Sequence, residues 1–140
     1  MYASTGVLAV VGSVCMALAL VLAWCLAGVR SSRFMERCFP NPDYLLKAHL
    51  DFLMMTGLLF AFFLVFDHLR LTPPMPIVVA MGVGSLGNPL GFLALAVRPG
   101  LPQRPATAFG DLMVLSFAAT TIGYGGAAWY VAQAIIHTGL

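Results

Sequence analysis

Five polar side chains that can do chemistry lie within or beside long apolar stretches of the sequence. They are Lys47, His49, Asp51, Asn88 and Asp111. An ionisable side chain in lipid is costly, and it is therefore a candidate for function. These residue types can bind a metal, transfer a proton or orient a polar group of a ligand. Each of these roles has to be weighed against a structural one.

Lys47 and Asp51 are four residues apart, so on a helix they face each other and form either an ion pair or a catalytic pair. His49 points elsewhere. It shares a helix face with Phe52, Leu53, Thr56 and Phe60. A histidine roughly 8 Å inside a membrane helix, beside such side chains, is typical of an axial haem ligand. Phe52 and Thr56 would then contact the haem. The same pattern also fits a hydrogen-bonded structural histidine.

Asn88 lies in the middle of another apolar stretch, where an unpaired amide is expensive. Pro89 leaves the carbonyl of Ser85 without its helical donor. Asn88 is therefore expected either to donate to that carbonyl or to orient a ligand. Asp111 follows Gly110 at the predicted start of a helix, where a carboxylate accepts unpaired backbone N–H groups.

The other histidines and the cysteines are weaker candidates. His68 is about 28 Å from His49 along one helix, so the two cannot bind the same iron. His68 and His137 are expected at the same membrane surface. Their shared position is the only feature that favours a bis-histidine site there. The three cysteines show no CxxC spacing and are expected to be small apolar residues. Their positions are Cys15, Cys25 and Cys38.

Composition predicts the kind of element that positions these residues. Charged residues make up 9% of the 140 residues and hydrophobic residues 61%, whereas a globular protein has about 25% charged residues. So few charges cannot cover a small soluble domain, which excludes that class. The net charge of +2 is scattered along the chain, which argues against nucleic acid as a partner.

Four stretches are long and apolar enough to cross a bilayer as helices. They are residues 4–29, 44–69, 76–97 and 109–137. The connectors between them are rich in proline, and none is long enough for a second domain. The first stretch is longer than the apolar part of a signal peptide, so we expect it to be retained. The predicted fold is an all-α integral membrane protein, with residues 1–140 forming one four-transmembrane-helix bundle.

Charge and small residues predict orientation and packing. Six basic residues fall on one side of the predicted bundle and only Arg70 on the other, which places both termini on the non-cytoplasmic side, in a bacterial inner membrane. The six are Arg30, Arg33, Arg37, Lys47, Arg98 and Arg104. Small residues at close spacing on the third and fourth helices predict tight helix contacts and favour an oligomer. They are Gly84, Gly87, Gly91, Ser116 and Thr120.

The sequence around His49 resembles a known family of small four-helix membrane proteins. Residues 47–57, KAHLDFLMMTG, are similar to the start of the second helix of styrene oxide isomerase and of the related hydroxylaminobenzene mutases. Gly87-Asn88 and Gly110-Asp111 resemble the small-residue–asparagine and Gly-Asp pairs in the next two helices of the family. The resemblance covers residues 47–130.

This resemblance implies a trimer with haem b at the subunit interfaces and His49 as the axial ligand. Ferric iron in the isomerase acts as a Lewis acid on an epoxide oxygen, and a 1,2-shift gives an aldehyde. Two substrate-orienting groups of the family have no counterpart here. The asparagine that follows the histidine is replaced by Met54, Met55 and Thr56. The tyrosine that follows the helix-three asparagine is replaced by residues such as Leu90.

The sequence therefore favours a haem-b-binding isomerase or mutase that acts on a small lipophilic substrate, with Asn88 orienting that substrate and Asp51 as a further catalytic candidate. Its partners would be the bilayer and copies of itself. One alternative is a non-catalytic subunit of a larger membrane complex. Another is a small b-type cytochrome, whose second ligand would be Met54 or Met55 of a neighbouring subunit. No residue selects among lipophilic substrates.

Overall fold

Residues 3–138 of the computed structural model are described, and they form five helices. Four of these helices are long and apolar enough to cross a membrane, and their ends lie within two residues of the predicted ones. The predicted all-α four-helix bundle is confirmed. The helices are α1 (Ala3–Ser31), α2 (Arg33–Cys38), α3 (Pro42–His68), α4 (Met75–Val97) and α5 (Ala108–Thr138).

The short helix α2 was not predicted, because the sequence indicated an irregular connector between the first two membrane helices. Six residues are too few for hydrophobic periodicity to reveal a helix. The helix starts after Ser32 and carries Glu36 in its first turn and Arg37 in its last, as the helix dipole favours. It packs against α1.

Local sequence explains where the long helices begin and end. The side chain of Asn41 caps α3 by accepting a hydrogen bond from the Tyr44 backbone N–H at 3.3 Å, and Pro42 occupies the first turn. The hydroxyl of Thr107 accepts from the Gly110 N–H at 3.1 Å at the start of α5. Prolines in the connectors stop each helix from continuing into the next.

The long helices pack in chain order. Helix α3 contacts α1 on one side and α4 on the other, while α4 also contacts α1 and α5. The core between α1, α3 and α4 contains fully buried apolar side chains such as Phe52, Leu59, Phe66 and Met81. Helix α5 packs mainly against α4 and leaves much of its apolar surface exposed, as a lipid-facing helix does.

Tight helix contacts of the kind that the small residues predict are found between α4 and α5. A Cβ atom on Gly84 would lie 2.6 Å from the backbone nitrogen of Thr120, and one on Gly123 would lie 2.8 Å from the carbonyl carbon of Ala80. A Cβ atom on Gly87 would instead meet the side chain of Ser116. The backbones of α4 and α5 therefore touch at Gly84 and Gly123, and only glycine fits at these two points.

Candidate functional site

His49 lies at the edge of α3 that packs against α1. It is seven residues after Pro42, which places it about 10 Å from the start of the helix. Its side chain is half-buried. Its Nδ1 atom lies 2.9 Å from the backbone carbonyl oxygen of Ala19 on α1.

This contact decides which nitrogen of His49 carries the proton. A carbonyl oxygen can only accept a hydrogen bond, so Nδ1 donates. In the neutral imidazole, Nε2 then has no proton and presents a lone pair. The structure thus holds the ring in one orientation and leaves Nε2 able to bind a metal or to accept a proton.

The neighbours of His49 differ from those that the sequence pattern predicted. Phe52 is fully buried and Thr56 is 2% exposed, so both belong to the core beneath His49. The Thr56 hydroxyl donates to the carbonyl of Phe52 at 2.8 Å. Haem contacts for Phe52 and Thr56 stay predictions. The apolar side chains that share the outer surface with His49 are instead Leu46, Leu50 and Leu53, all exposed.

A cavity of about 510 Å³ lies between the end of α1 and the start of α3. Leu46 is one turn before His49, and Leu26 is two turns after Ala19, so the cavity lies in the groove between α1 and α3, nearer the connected helix ends than the His49–Ala19 hydrogen bond. Neither His49 nor Ala19 lines it. Sequence reasoning missed this cavity, because its lining combines residues from two helices. Its lining residues are Leu26, Ala27, Val29, Arg30, Pro42, Asp43 and Leu46.

Lys47 and Asp51 do not form the ion pair that their spacing allowed. No ion pair joins them among the described residues, and the Lys47 ammonium instead lies 4.9 Å from the centre of the Tyr44 ring. This is a cation–π contact at the membrane surface end of α3. The ammonium reaches toward the start of the helix, where it stays hydrated. The prediction of an ion pair between Lys47 and Asp51 is therefore wrong.

Asp51 occupies the opposite edge of α3 from His49, because two residues along a helix correspond to about 200° of rotation. Tyr44 and Phe62 share the edge of Asp51. Tyr44 stacks on Phe92 of α4, and Phe62 contacts Tyr124 of α5. The half-buried Asp51 therefore faces the side of α3 that packs toward α4 and α5. It forms no hydrogen bond or ion pair with any residue in the range 3–138.

Asn88 is buried and hydrogen-bonded between α4 and α5. Its Nδ2 donates to the Thr120 hydroxyl at 2.9 Å, and its Oδ1 accepts from the Ser116 hydroxyl at 2.7 Å. These bonds explain how an amide is tolerated at 6% exposure in an apolar helix. One amide hydrogen and one lone pair remain, so substrate orientation by Asn88 stays a prediction.

The carbonyl of Ser85 finds a donor other than Asn88. The Cys15 thiol of α1 donates to it at 3.8 Å, which compensates for the hydrogen bond removed by Pro89. The Ser85 hydroxyl lies 2.7 Å from the Tyr124 hydroxyl. Sequence reasoning treated Cys15 only as a small apolar residue, and no local signal connects it to a residue 70 positions away.

The remaining candidates have local explanations. Asp111 lies in the first turn of α5, as predicted, but its Oδ1 accepts from the backbone N–H of Ala106, which precedes the helix, at 3.0 Å. The helix N–H of Gly110 is capped by Thr107 instead. His137 is exposed and hydrogen-bonds through Nε2 to Gln133 at 3.1 Å. His68 is also exposed.

The described residues offer few ligands for a metal ion that is held by protein side chains alone. Among residues 3–138, no group of three or more His, Cys, Asp or Glu side chains could hold a metal ion. A haem iron needs only one or two axial ligands from the protein, so His49 alone can serve.

Comparison with protein-family models, curated proteins and solved structures found no match to this chain.

Proposed function

We propose that the chain binds haem b through Nε2 of His49 and acts as a membrane isomerase or mutase. The observation that supports this most is the hydrogen bond from Nδ1 of His49 to the Ala19 carbonyl oxygen, at 2.9 Å. Histidines that bind a metal almost always donate their other ring N–H to such an acceptor. His49 therefore has the tautomer and the fixed ring orientation of an axial ligand.

The surroundings of His49 suit a large, mostly apolar ligand. Leu46 and Leu53 provide exposed apolar surface beside it, and the cavity extends the groove toward the helix ends. When bound, ferric haem supplies a Lewis acid that polarises an oxygen atom of the substrate. The apolar side chains exclude water, which would compete for that position. The reaction that fits is the rearrangement of a small lipophilic epoxide to a carbonyl compound.

The proposal includes assembly and placement in the membrane. His49 lies at the surface of the bundle, so a ligand bound there would have one side uncovered by this chain. We propose that a neighbouring copy covers it in a homotrimer, in a bacterial inner membrane. Mass photometry in mild detergent is expected to give three times the mass of one chain, and a monomer would contradict this part.

Absorption spectroscopy of the purified protein tests the role of His49. We expect a Soret band from about one haem per chain, responsive to added cyanide. His49→Ala should abolish haem retention, because it removes the only ligand. His68→Ala and His137→Ala serve as matched controls and should retain the band, since both histidines are exposed at helix ends.

Loss of the band could also follow from misfolding, so the His49→Ala protein is titrated with haem and then with free imidazole. Imidazole that enters the vacated position should restore a Soret band in a folded protein. An undiminished band in His49→Ala, or a folded wild-type protein that never takes up haem, would overturn the proposal.

A second candidate is a non-catalytic subunit of a larger membrane complex. The observation that favours it is the same His49–Ala19 hydrogen bond, which links α1 to α3 and gives His49 a structural partner. A colourless protein that stays assembled as His49→Ala would support this alternative. A low-spin spectrum indifferent to added ligand would instead favour a b-type cytochrome, with the exposed Met54 of a neighbouring copy as second ligand.

A further inference from the structure

The cavity between α1 and α3 has one charged residue of each sign at its lining. These are Arg30, in the last turn of α1, and Asp43, in the first turn of α3. No ion pair joins them, and the Arg30 guanidinium has no hydrogen-bond partner within residues 3–138. The rest of the lining is apolar apart from backbone groups. A cation that is free of protein partners, above an apolar cavity, suits an anionic group on a mostly apolar ligand.

Arg30 lies along the boundary between α1 and α3 that His49 also borders, although His49 does not line the cavity. On α1, Ala19, Leu26 and Arg30 share one face, because they are separated by seven and four residues. Arg30 is eleven residues after Ala19, which corresponds to roughly 16 Å along the helix. The Cα–Cβ bonds of a helix tilt toward its N-terminus, so the long Arg30 side chain can reach toward the level of His49.

We propose that Arg30 binds the propionate carboxylates of the haem that His49 ligates. This inference rests on the proposed function. Nε2 of His49 would hold the iron, and the propionates would need a cation at the membrane-surface end of the groove. Arg30 is the cation in the cavity at that end, and its planar guanidinium can hold a carboxylate with two parallel hydrogen bonds.

Other charges at this end of the molecule do not replace Arg30. Lys47 is engaged over the Tyr44 ring. Arg33 is exposed at the start of α2 and does not line the cavity. Asp43 would repel a carboxylate, which favours a propionate position on the α1 side, near Arg30.

The test is a titration of the detergent-solubilised full chain with ferric haem b and, separately, with haem dimethyl ester. The ester has the same iron and ring but no propionate charge. We expect the wild-type protein to bind haem b about ten-fold more tightly than the ester, as one charge-assisted contact predicts. Arg30→Gln should lose this preference while its affinity for the ester is unchanged.

Two variants serve as controls. Arg33→Gln removes the same charge outside the cavity and should keep the preference for haem b. His49→Ala should lose the Soret band with both ligands, which tests the proposed function separately from the Arg30 inference. If His49→Ala loses both ligands but Arg30→Gln keeps the preference, only the Arg30 inference is wrong.

Three further results would overturn the inference. The first is an equal loss of preference in Arg33→Gln, which would indicate a diffuse positive field. The second is haem binding unaffected by Arg30→Gln while co-purifying phosphatidylglycerol decreases, which would make the cavity a phospholipid site. The third is a Soret band that survives His49→Ala with both ligands, which would overturn the proposed function as well.

Discussion

At the scale of single residues, the two ring nitrogens of His49 have different roles. Nδ1 is committed to the Ala19 carbonyl oxygen, and Nε2 is left with a lone pair. The acceptor is a backbone atom of a buried alanine, so the contact does not depend on the side chain at position 19. A single interhelical hydrogen bond thus fixes the tautomer of one histidine, whereas within residues 3–138 His68 and His137 have no comparable contact to the backbone of another helix.

Asp51 provides a prediction about stability. Its carboxylate is half-buried near the middle of α3, and it forms no hydrogen bond or ion pair within residues 3–138. Removing an unpaired, half-buried charge should help the fold, so we expect Asp51→Asn to raise the free energy of unfolding by roughly 1–2 kcal/mol. Equilibrium unfolding in detergent, followed by circular dichroism, measures this.

Asp67→Asn is the matched control for Asp51→Asn, because Asp67 is exposed near the end of the same helix. Its effect should lie within about 0.5 kcal/mol. A clear loss of stability in Asp51→Asn would contradict the prediction. It would mean that the Asp51 carboxylate is paired in the assembled protein, for example by a group from a neighbouring copy.

At the scale of elements, the contact between α4 and α5 depends on glycine. A Cβ atom at Gly84 would lie 2.6 Å from the Thr120 backbone nitrogen and 2.7 Å from its Cα atom. Backbone atoms cannot move aside as a flexible side chain can. We therefore expect Gly84→Ala to separate the two helices and to lower the free energy of unfolding by about 1–3 kcal/mol.

Gly125→Ala is the control for Gly84→Ala, because a Cβ atom at Gly125 would meet nothing within 4 Å. The alanine there should be neutral or stabilising by up to about 1 kcal/mol, since alanine favours a helix more than glycine does. Denaturant titration of the two variants side by side distinguishes close packing from helix propensity. Equal effects at both positions would contradict the packing explanation.

The proline in α4 shows how one element relies on another. Pro89 removes a hydrogen bond to the Ser85 carbonyl, and the Cys15 thiol of α1 donates to that carbonyl instead. Asn88, which the sequence placed as the nearest donor, bonds across to α5. A residue of α1 thus compensates for the hydrogen bond that α4 lacks at Pro89. The side-chain amide of Asn88 instead joins α4 to α5.

At the scale of the whole molecule, basic residues concentrate at one end of the bundle. The α1–α3 and α4–α5 connectors meet there, since the Asn41 N–H donates to the Ala96 carbonyl at 3.3 Å and Gln103 Nε2 donates to the Tyr44 hydroxyl at 3.4 Å. The opposite connector contains only Arg70 among basic residues. By the positive-inside rule, the basic end should be cytoplasmic.

Fusion reporters test this orientation in a bacterial host. Alkaline phosphatase joined to the C-terminus should be active, because both termini are expected on the non-cytoplasmic side. Green fluorescent protein at the same position should be dark. The control is a fusion after Gly100, in the α4–α5 connector, which should give the reverse pattern. Active phosphatase at Gly100 together with fluorescence from the C-terminal fusion would contradict the predicted orientation.

The sequence by itself determined the class of protein and the position of each membrane helix. These depend on local quantities, namely the length of an apolar run and the prolines that end it, which a single stretch of chain contains completely. Local chemistry also sufficed to place Asp111 in the first turn of α5, with a backbone partner five residues away. The glycines of α4 could be predicted as a packing surface for the same reason.

Only the tertiary structure decided what the polar side chains contact. Helical periodicity tells which residues share a face, but the neighbour of that face depends on how each helix is rotated and where it crosses the others. For that reason Phe52 and Thr56 proved to be core residues and Ala19 proved to be the partner of His49. The cavity beside Arg30 is lined jointly by the end of α1 and the start of α3, so no single stretch of sequence encodes it.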